Sequence, residues 1–313
     1  MNTLESIEET GNGSFRDLYL LLKPRVMWLA VFTAAVGIFI APIQNSLFLS
    51  LIILLCISIG AGAAGVLNMW WDKELDNVME RTNGRPLPNE KISSDDAFVF
   101  GLSLSIFSVM FLGLVSNWLA ASLLALTIFF YVVIYSIFLK KATHQNIVIG
   151  GAAGAMPPLI GWVASTGTIA TEPILLFLFI FFWTPPHFWS LAIITKDDYA
   201  KASIPMLPVL YGVKKTRKSI LFYSAMLIAC SQVVAFTEMG GPTFFLLSNA
   251  LNTFLLVAAI KLVRVHENSG YERERRFFKF TILYLFLYFG FLAINSCIKT
   301  LETGTPIAWP VIF

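Results

Sequence analysis

Apolar residues in this chain come in long unbroken runs rather than in alternation or in narrow stripes. Nine runs have the length of a membrane-crossing helix, about 20 mostly apolar residues: 26–44, 47–69, 96–115, 118–139, 147–165, 173–194, 219–237, 243–262 and 278–298. Membrane β-strands would be about ten residues long and would alternate in polarity, and none of the runs does. Lipid accepts only helices or closed barrels, because each backbone N–H and C=O must find its partner inside the structure. The pattern therefore predicts an all-α polytopic membrane protein with nine transmembrane helices in a bundle.

Composition agrees. Of 313 residues, 57% are hydrophobic and 13% charged, against about 25% charged in soluble domains. Charge placement adds an orientation. All but Lys299 of the 22 Lys and Arg fall in the N-terminal segment or in the second, fourth, sixth and eighth connections. The positive-inside rule then places the N-terminus in the cytoplasm and the C-terminus outside, which needs an odd number of spans. The cytoplasmic connections 70–95 and 195–218 are long and polar, whereas those on the other face are short. Long connections tend to carry function, so the site is expected on the cytoplasmic face.

The N-terminus is acidic (Glu5, Glu8, Glu9) with no basic region before a short apolar stretch, so no cleavable signal is expected. Residues 1–17 read as a flexible cytoplasmic tail, 18–300 as a single transmembrane domain and 301–313 as a short tail. Cys56, Cys230 and Cys297 each lie in an apolar run without C-x-x-C spacing and read as small hydrophobic residues.

The second span ends in NMWWDKELDNVMERTNGRPLP. Asn68, Asp72 and Asp76 are spaced i, i+4, i+8, which keeps all three on one helix stripe. Two carboxylates and an amide oxygen form a wall of hard ligands of the kind Mg2+ prefers. The wall is about 12 Å long, too long for one ion, so two ions or a facing second wall are expected. Solvated acids at a helix end would be the plainer account, but Asn68 lies inside an apolar helix, where polar groups are costly and usually functional. Arg81 and Arg85 follow, with Gly84 and Pro86 expected to turn both guanidiniums back toward the acids. Planar guanidinium forks suit phosphate.

N-x-x-x-D-x-x-x-D followed by R-T-x-x-R-P-L resembles the first signature of the UbiA-type intramembrane prenyltransferases. More narrowly, YLLLKPRVM (19–27), NIVIGGAAGAMPPLIGW (146–162), WTPPHFWSLA (183–192) and KDDYAKASIPMLP (196–208) are similar to the branch of that family that farnesylates haem. The resemblance implies a nine-helix bundle around a prenyl chain in the cell inner membrane. It also implies transfer of farnesyl from farnesyl diphosphate to the vinyl group of haem B, with addition of water. The products are haem O and pyrophosphate, Mg2+ is the ion, and a haem-oxidising enzyme is a downstream partner; no nucleic acid is involved. Many relatives carry a second D-x-x-x-D on the sixth helix. Here Ile194 stands in place of its first acid, and Asp198, beside Asp197, is what remains.

On that resemblance Asp198 joins Asn68, Asp72 and Asp76 as catalytic and metal ligands. Arg81, Arg85, Lys140, Lys141 and Lys201 become diphosphate contacts, although Lys140 and Lys141 at a helix mouth also fit snorkelling anchors. His187 follows Pro185-Pro186, which are expected to bend the sixth helix and free carbonyls. A His within a membrane helix is a functional candidate, and the resemblance makes it a haem contact; a buried His bonded to a freed carbonyl is the alternative. Gly150, Gly151 and Gly154 form a small-residue face suited to close helix packing. Other acceptors, such as a quinone precursor, share the acidic signature. A transporter would be expected to show paired broken helices, and a non-catalytic haem-assembly factor would leave the acids and arginines idle.

Overall fold

A computed structural model describes residues 13–264 and 270–301. Most of the expected N-terminal tail, His266 in the eighth connection and nearly all of the C-terminal tail lie outside the described residues. The helices run α1 (Phe15–Leu21), α2 (Pro24–Phe39), α3 (Leu47–Trp71), α4 (Lys73–Val78), α5 (Ser94–Val115) and α6 (Trp118–Phe129). A π-helical segment (Phe130–Leu139) continues α6 into α7 (Lys140–Ala142). Then come α8 (Asn146–Thr166), α9 (Thr171–Ile194), α10 (Lys196–Lys201), α11 (Leu207–Ala235), α12 (Pro242–Val263) and α13 (Glu272–Leu301). Among the described residues eight helices, or nine when the bent pair α1–α2 counts as one span, are long and apolar enough to cross a membrane. The all-α bundle expected from the apolar runs is what the chain forms.

Several boundaries differ from expectation. Residues 15–17 open a helix instead of closing a tail, because Ser14 and Asp17 form a reciprocal cap in which Asp17 Oδ2 accepts from the Ser14 N–H at 3.1 Å. The chain then bends by 55° into α2, with Pro24 at the first helical position and Lys23 in the left-handed region (φ 53, ψ 53). The seventh span starts at Leu207, twelve residues earlier than its apolar run suggests, with a kink at Gly212 (φ 77). Gly can take that backbone without the Cβ penalty.

Close packing sets where the site helices stand. On Gly37 and Gly161 a Cβ would meet the Pro158 and Ala34 carbonyls at 2.3 and 2.4 Å, so α2 and α8 touch backbone to backbone. Gly150 makes room for the Tyr135 ring and Gly151 for Thr184, whereas Gly154 faces open space; the expected small-residue face is real for two of its three glycines. α9 runs as one helix through Pro185 and Pro186. Cys56 and Cys230 are buried and Cys297 is exposed, all as free thiols.

Candidate active site

The stripe expected from i, i+4, i+8 spacing survives the junction of α3 and α4. Asp72 N–H donates to Asn68 O at 2.9 Å and Asp76 N–H to Asp72 O at 2.8 Å, so the three side chains stay in helical register across the break. All three are buried, at 4%, 2% and 3% exposure. Asp72 Oδ2 accepts from Lys140 Nζ at 2.6 Å and from Asn68 Nδ2 at 2.8 Å. Asp72 Oδ1 is buried with no partner. Asp76 Oδ2 accepts from Arg85 at 2.6 Å. Buried carboxylates persist only when paired, and here each has a cation.

The residue sequence reasoning passed over is Lys23. Its Nζ donates to Asn68 Oδ1 at 2.5 Å, and Asp72, Asp76, Arg85 and Lys140 are its electrostatic neighbours. A non-Gly residue at positive φ is uncommon and costs of order 1 kcal/mol; the Asn68 bond holds it there. The block K-P-R contained the signal, but Lys23 reads equally well as positive-inside charge. The cluster thus pairs each of two carboxylates (Asp72, Asp76) with a cation (Lys140, Arg85) and sets a third basic side chain, Lys23, beside them on Asn68. Three basic side chains gathered at one place suit an anionic ligand.

The π-helical segment was also missed. Ser136 Oγ donates to Tyr131 O at 2.8 Å, a five-residue step, and accepts from Asn68 Nδ2 at 2.8 Å. The wider turn presents Ser136 to Asn68 and Lys140 to Asp72, and π-segments recur at functional sites for this kind of re-aiming. Nothing in the uniformly apolar run FYVVIYSIFL announces it. Tyr131 and Tyr135 stack at 5.6 Å beside the cluster, and Asp72, Arg81 and Tyr199 are electrostatic neighbours of Tyr135.

The turn after α4 aims one arginine inward, not two. Thr82 Oγ1 donates to Asp76 O at 3.1 Å and Arg85 N–H to Thr82 O at 3.1 Å, which delivers Arg85 to Asp76 and leaves Arg81 exposed, with Tyr199 as an electrostatic neighbour. Burial raises the Tyr199 phenol above its usual value, with Arg81 opposing, so the ring stays neutral. Lys201 on α10 pairs with Glu80 at 2.8 Å, both exposed. Asp198 lies in α10 beside these contacts, half-buried. It does not join Asp72 and Asp76 in one three-acid group among the described residues. Lys141 is exposed.

His187 is buried between two rings, stacked on Trp183 at 4.3 Å and on Phe278 of α13 at 4.5 Å. Its Nδ1 lies 2.8 Å from Thr281 Oγ1, whose single proton is donated to Phe278 O at 2.7 Å. Nδ1 therefore carries the ring proton and Nε2 keeps its lone pair. The freed-carbonyl alternative is not what this geometry uses. His144 packs edge-on against Tyr211 at 5.0 Å.

The sequence matches the profile of the UbiA prenyltransferase family over residues 30–296. It is 48% identical over 303 residues to the protoheme IX farnesyltransferase of Ruegeria sp. (strain TM1040), covering 96% of this chain and 97% of that protein. It is 50% identical over 295 residues to the protein of that name from Dinoroseobacter shibae, covering 93% and 94%. A solved structure of digeranylgeranylglyceryl phosphate synthase shares the fold at TM-score 0.74 and 19% identity, over 90% of this chain and 98% of that one. A UbiA homolog from Archaeoglobus fulgidus bound to DMAPP and Mg2+ does so at 0.62 and 19%, over 87% and 99%.

Proposed function

Because the chain belongs to the UbiA prenyltransferase family, we propose that it joins farnesyl diphosphate to a vinyl group of haem B, with addition of water, giving haem O and pyrophosphate. The observation that carries the reaction type is the buried cluster of Asp72 and Asp76 with Lys23, Arg85 and Lys140. The choice of haem as acceptor rests on the likeness to relatives named protoheme IX farnesyltransferase.

Asn68, Asp72 and Asp76 fit Mg2+. They offer only oxygen donors, and Asp72 Oδ1 is buried and unclaimed. Asp198 is the candidate ligand on the facing connection. When bound, Mg2+ supplies positive charge against the departing pyrophosphate.

The chain's own groups do the rest. Lys140 and Arg85 each hold one carboxylate oxygen and are placed to exchange it for a diphosphate oxygen, as is Lys23 from Asn68. Cations aimed where negative charge develops are worth several kcal/mol in a site shielded from water. Arg81, Lys141 and Lys201 stand outside this inner set and draw the anion toward it. As the farnesyl C1–O bond breaks, electrons leave with pyrophosphate. The terminal vinyl carbon bonds to C1, and hydroxide from water completes the adjacent carbon while its proton goes to solvent or pyrophosphate. The apolar bundle keeps bulk water from the allylic cation before that bond forms, and the Tyr131–Tyr135 stack offers ring faces to it. His187 is the candidate haem contact, where its Nε2 would serve the iron or a propionate. The charge asymmetry of the connections supports a site facing the cytoplasm from the inner membrane.

Purified protein in lipid, given haem B, farnesyl diphosphate and Mg2+ with an EDTA control, is expected to yield a haem whose mass rises by farnesyl plus water, and only without EDTA. Folded protein that prenylates another ring acceptor but not haem would overturn the acceptor assignment. Protein that binds no prenyl diphosphate would overturn the reaction type.

A further inference from the structure

At the end of the bundle that holds the acids, a cavity of about 490 Å3 opens between the last turns of α12 and the first turns of α13. Arg273, Arg276, Phe277 and Phe280 share one face of α13; Thr281, which touches His187, lies one turn beyond Phe277 at the edge of that face, and Phe278, stacked on His187, is turned about 100° from Phe277. Its floor is apolar, made by Ala258 and Leu262 of α12 with Phe277 and Phe280. Its rim is Lys261, Arg273 and Arg276. Arg273 donates to the Lys261 carbonyl at 3.3 Å, which ties its stem over the end of α12.

Among the described residues these cations lack acidic partners. The nearby Glu274 is turned away and spent on the buried Arg217, and none of the three rim residues is ion-paired among the described residues. Below the rim, Phe254 and Val257 of α12 and Leu283 of α13 are exposed apolar side chains, one helical repeat from the cavity along the same faces. An anionic head with an apolar body attached matches this order of groups from mouth to interior.

We propose that this cleft binds one anionic phospholipid of the surrounding bilayer, its phosphate on Lys261, Arg273 and Arg276 and an acyl chain along Phe277, Phe280, Phe254 and Leu283. A row of cations at a membrane surface attracts anionic lipid in general; what distinguishes this place is the cavity between two helices with an apolar floor.

The test is native mass spectrometry of the full chain in detergent, titrated with phosphatidylglycerol, with phosphatidylcholine, and with phosphatidylglycerol plus inorganic phosphate. The expected result is one phosphatidylglycerol retained in preference to phosphatidylcholine and not displaced by millimolar phosphate. Arg273→Gln/Arg276→Gln should weaken it about 30-fold, near 2 kcal/mol for two surface cations. Arg275→Gln/Lys279→Gln removes the same charge from α13 outside the cavity and should leave binding within about threefold. Equal retention of the two lipids, or equal loss in both double variants, would overturn the site. Displacement by inorganic phosphate would make the ligand a free anion and overturn the lipid assignment. All four residues are exposed, so neither double variant is expected to unfold the protein.

Discussion

Asp72 is the most heavily used side chain in the cluster, and Asp72→Asn asks whether its charge does the work. The substitution keeps shape and burial but puts an amide where Lys140 Nζ, 2.6 Å away, needs an acceptor. Lys140 is then left mostly buried, at 13% side-chain exposure, without its counter-charge. Stranding a fully buried charge costs about 3–5 kcal/mol. The Lys stem can carry its head toward the helix mouth, so the expected loss of stability is the lower figure for a charged hydrogen bond, about 1.5–3 kcal/mol. Activity should fall more steeply, by at least about 100-fold, because a carboxylate that would hold the Mg2+ opposing the pyrophosphate charge is lost. Lys140→Met should also destabilise, by leaving Asp72 unpaired. The double variant Asp72→Asn/Lys140→Met should recover most of the stability and none of the activity. Thermal unfolding in detergent and farnesyl transfer, read on the same four proteins, separate the two effects. A double variant no more stable than its parents would refute the ion pair, and near-normal turnover in Asp72→Asn would refute the acidic wall.

Other expectations follow from single contacts. Arg217→Met should destabilise by about 3–5 kcal/mol by stranding Glu274, and Arg217→Met/Glu274→Leu should regain most of it; unfolding midpoints decide. A Cβ on Gly150 would lie 2.2 Å from the Tyr135 ring, so Gly150→Ala should cost about 1–3 kcal/mol and lower turnover by shifting the π-segment, which a stability measurement and a kcat together would reveal. His187→Ala should weaken haem binding more than diphosphate binding, and unchanged haem affinity would return His187 to packing alone. The Glu80–Lys201 pair holds Glu80 below its ordinary value and Lys201 above its own. Its contribution is therefore present at neutral pH, lost as pH falls through the depressed Glu80 value, and lost again as pH rises through the raised Lys201 value. Amide protection factors in 79–82 and 196–201, taken relative to the intrinsic exchange rate at each pH, should fall at both extremes, and a flat protection profile would count against the contact.

Much of the fold is legible because a long apolar run has few alternatives in lipid. The runs 47–69 and 96–115 agree with α3 and α5 within two residues at each end. α11 was misjudged at its start because Lys214, Lys215, Arg217 and Lys218 look like loop charges. Arg217 is instead buried, through an acid 57 residues later, and no local pattern carries that information. The acidic stripe was legible because helix periodicity alone puts Asn68, Asp72 and Asp76 on one face. Which cations answer it was only half legible. Arg85 and Lys140 reach the acids, but Arg81 turns out to Tyr199 because Thr82 is pinned to the Asp76 carbonyl. Lys23 depends on a bend between two helices. Gly84, expected to force the turn, has neither a positive φ nor a close neighbour; the left-handed residue of that connection is Glu90, at φ 55.

The central claim is that Asn68, Asp72 and Asp76, with Lys23, Arg85 and Lys140, receive a prenyl diphosphate. It is tested most directly by solving the structure in lipid with a non-cleavable farnesyl thiodiphosphate and Mg2+. Density for the diphosphate between Lys140, Arg85 and Lys23, with metal on the Asp72 and Asp76 oxygens, is the predicted result. A diphosphate bound elsewhere, with Lys140 still on Asp72 and Arg85 still on Asp76, would contradict it.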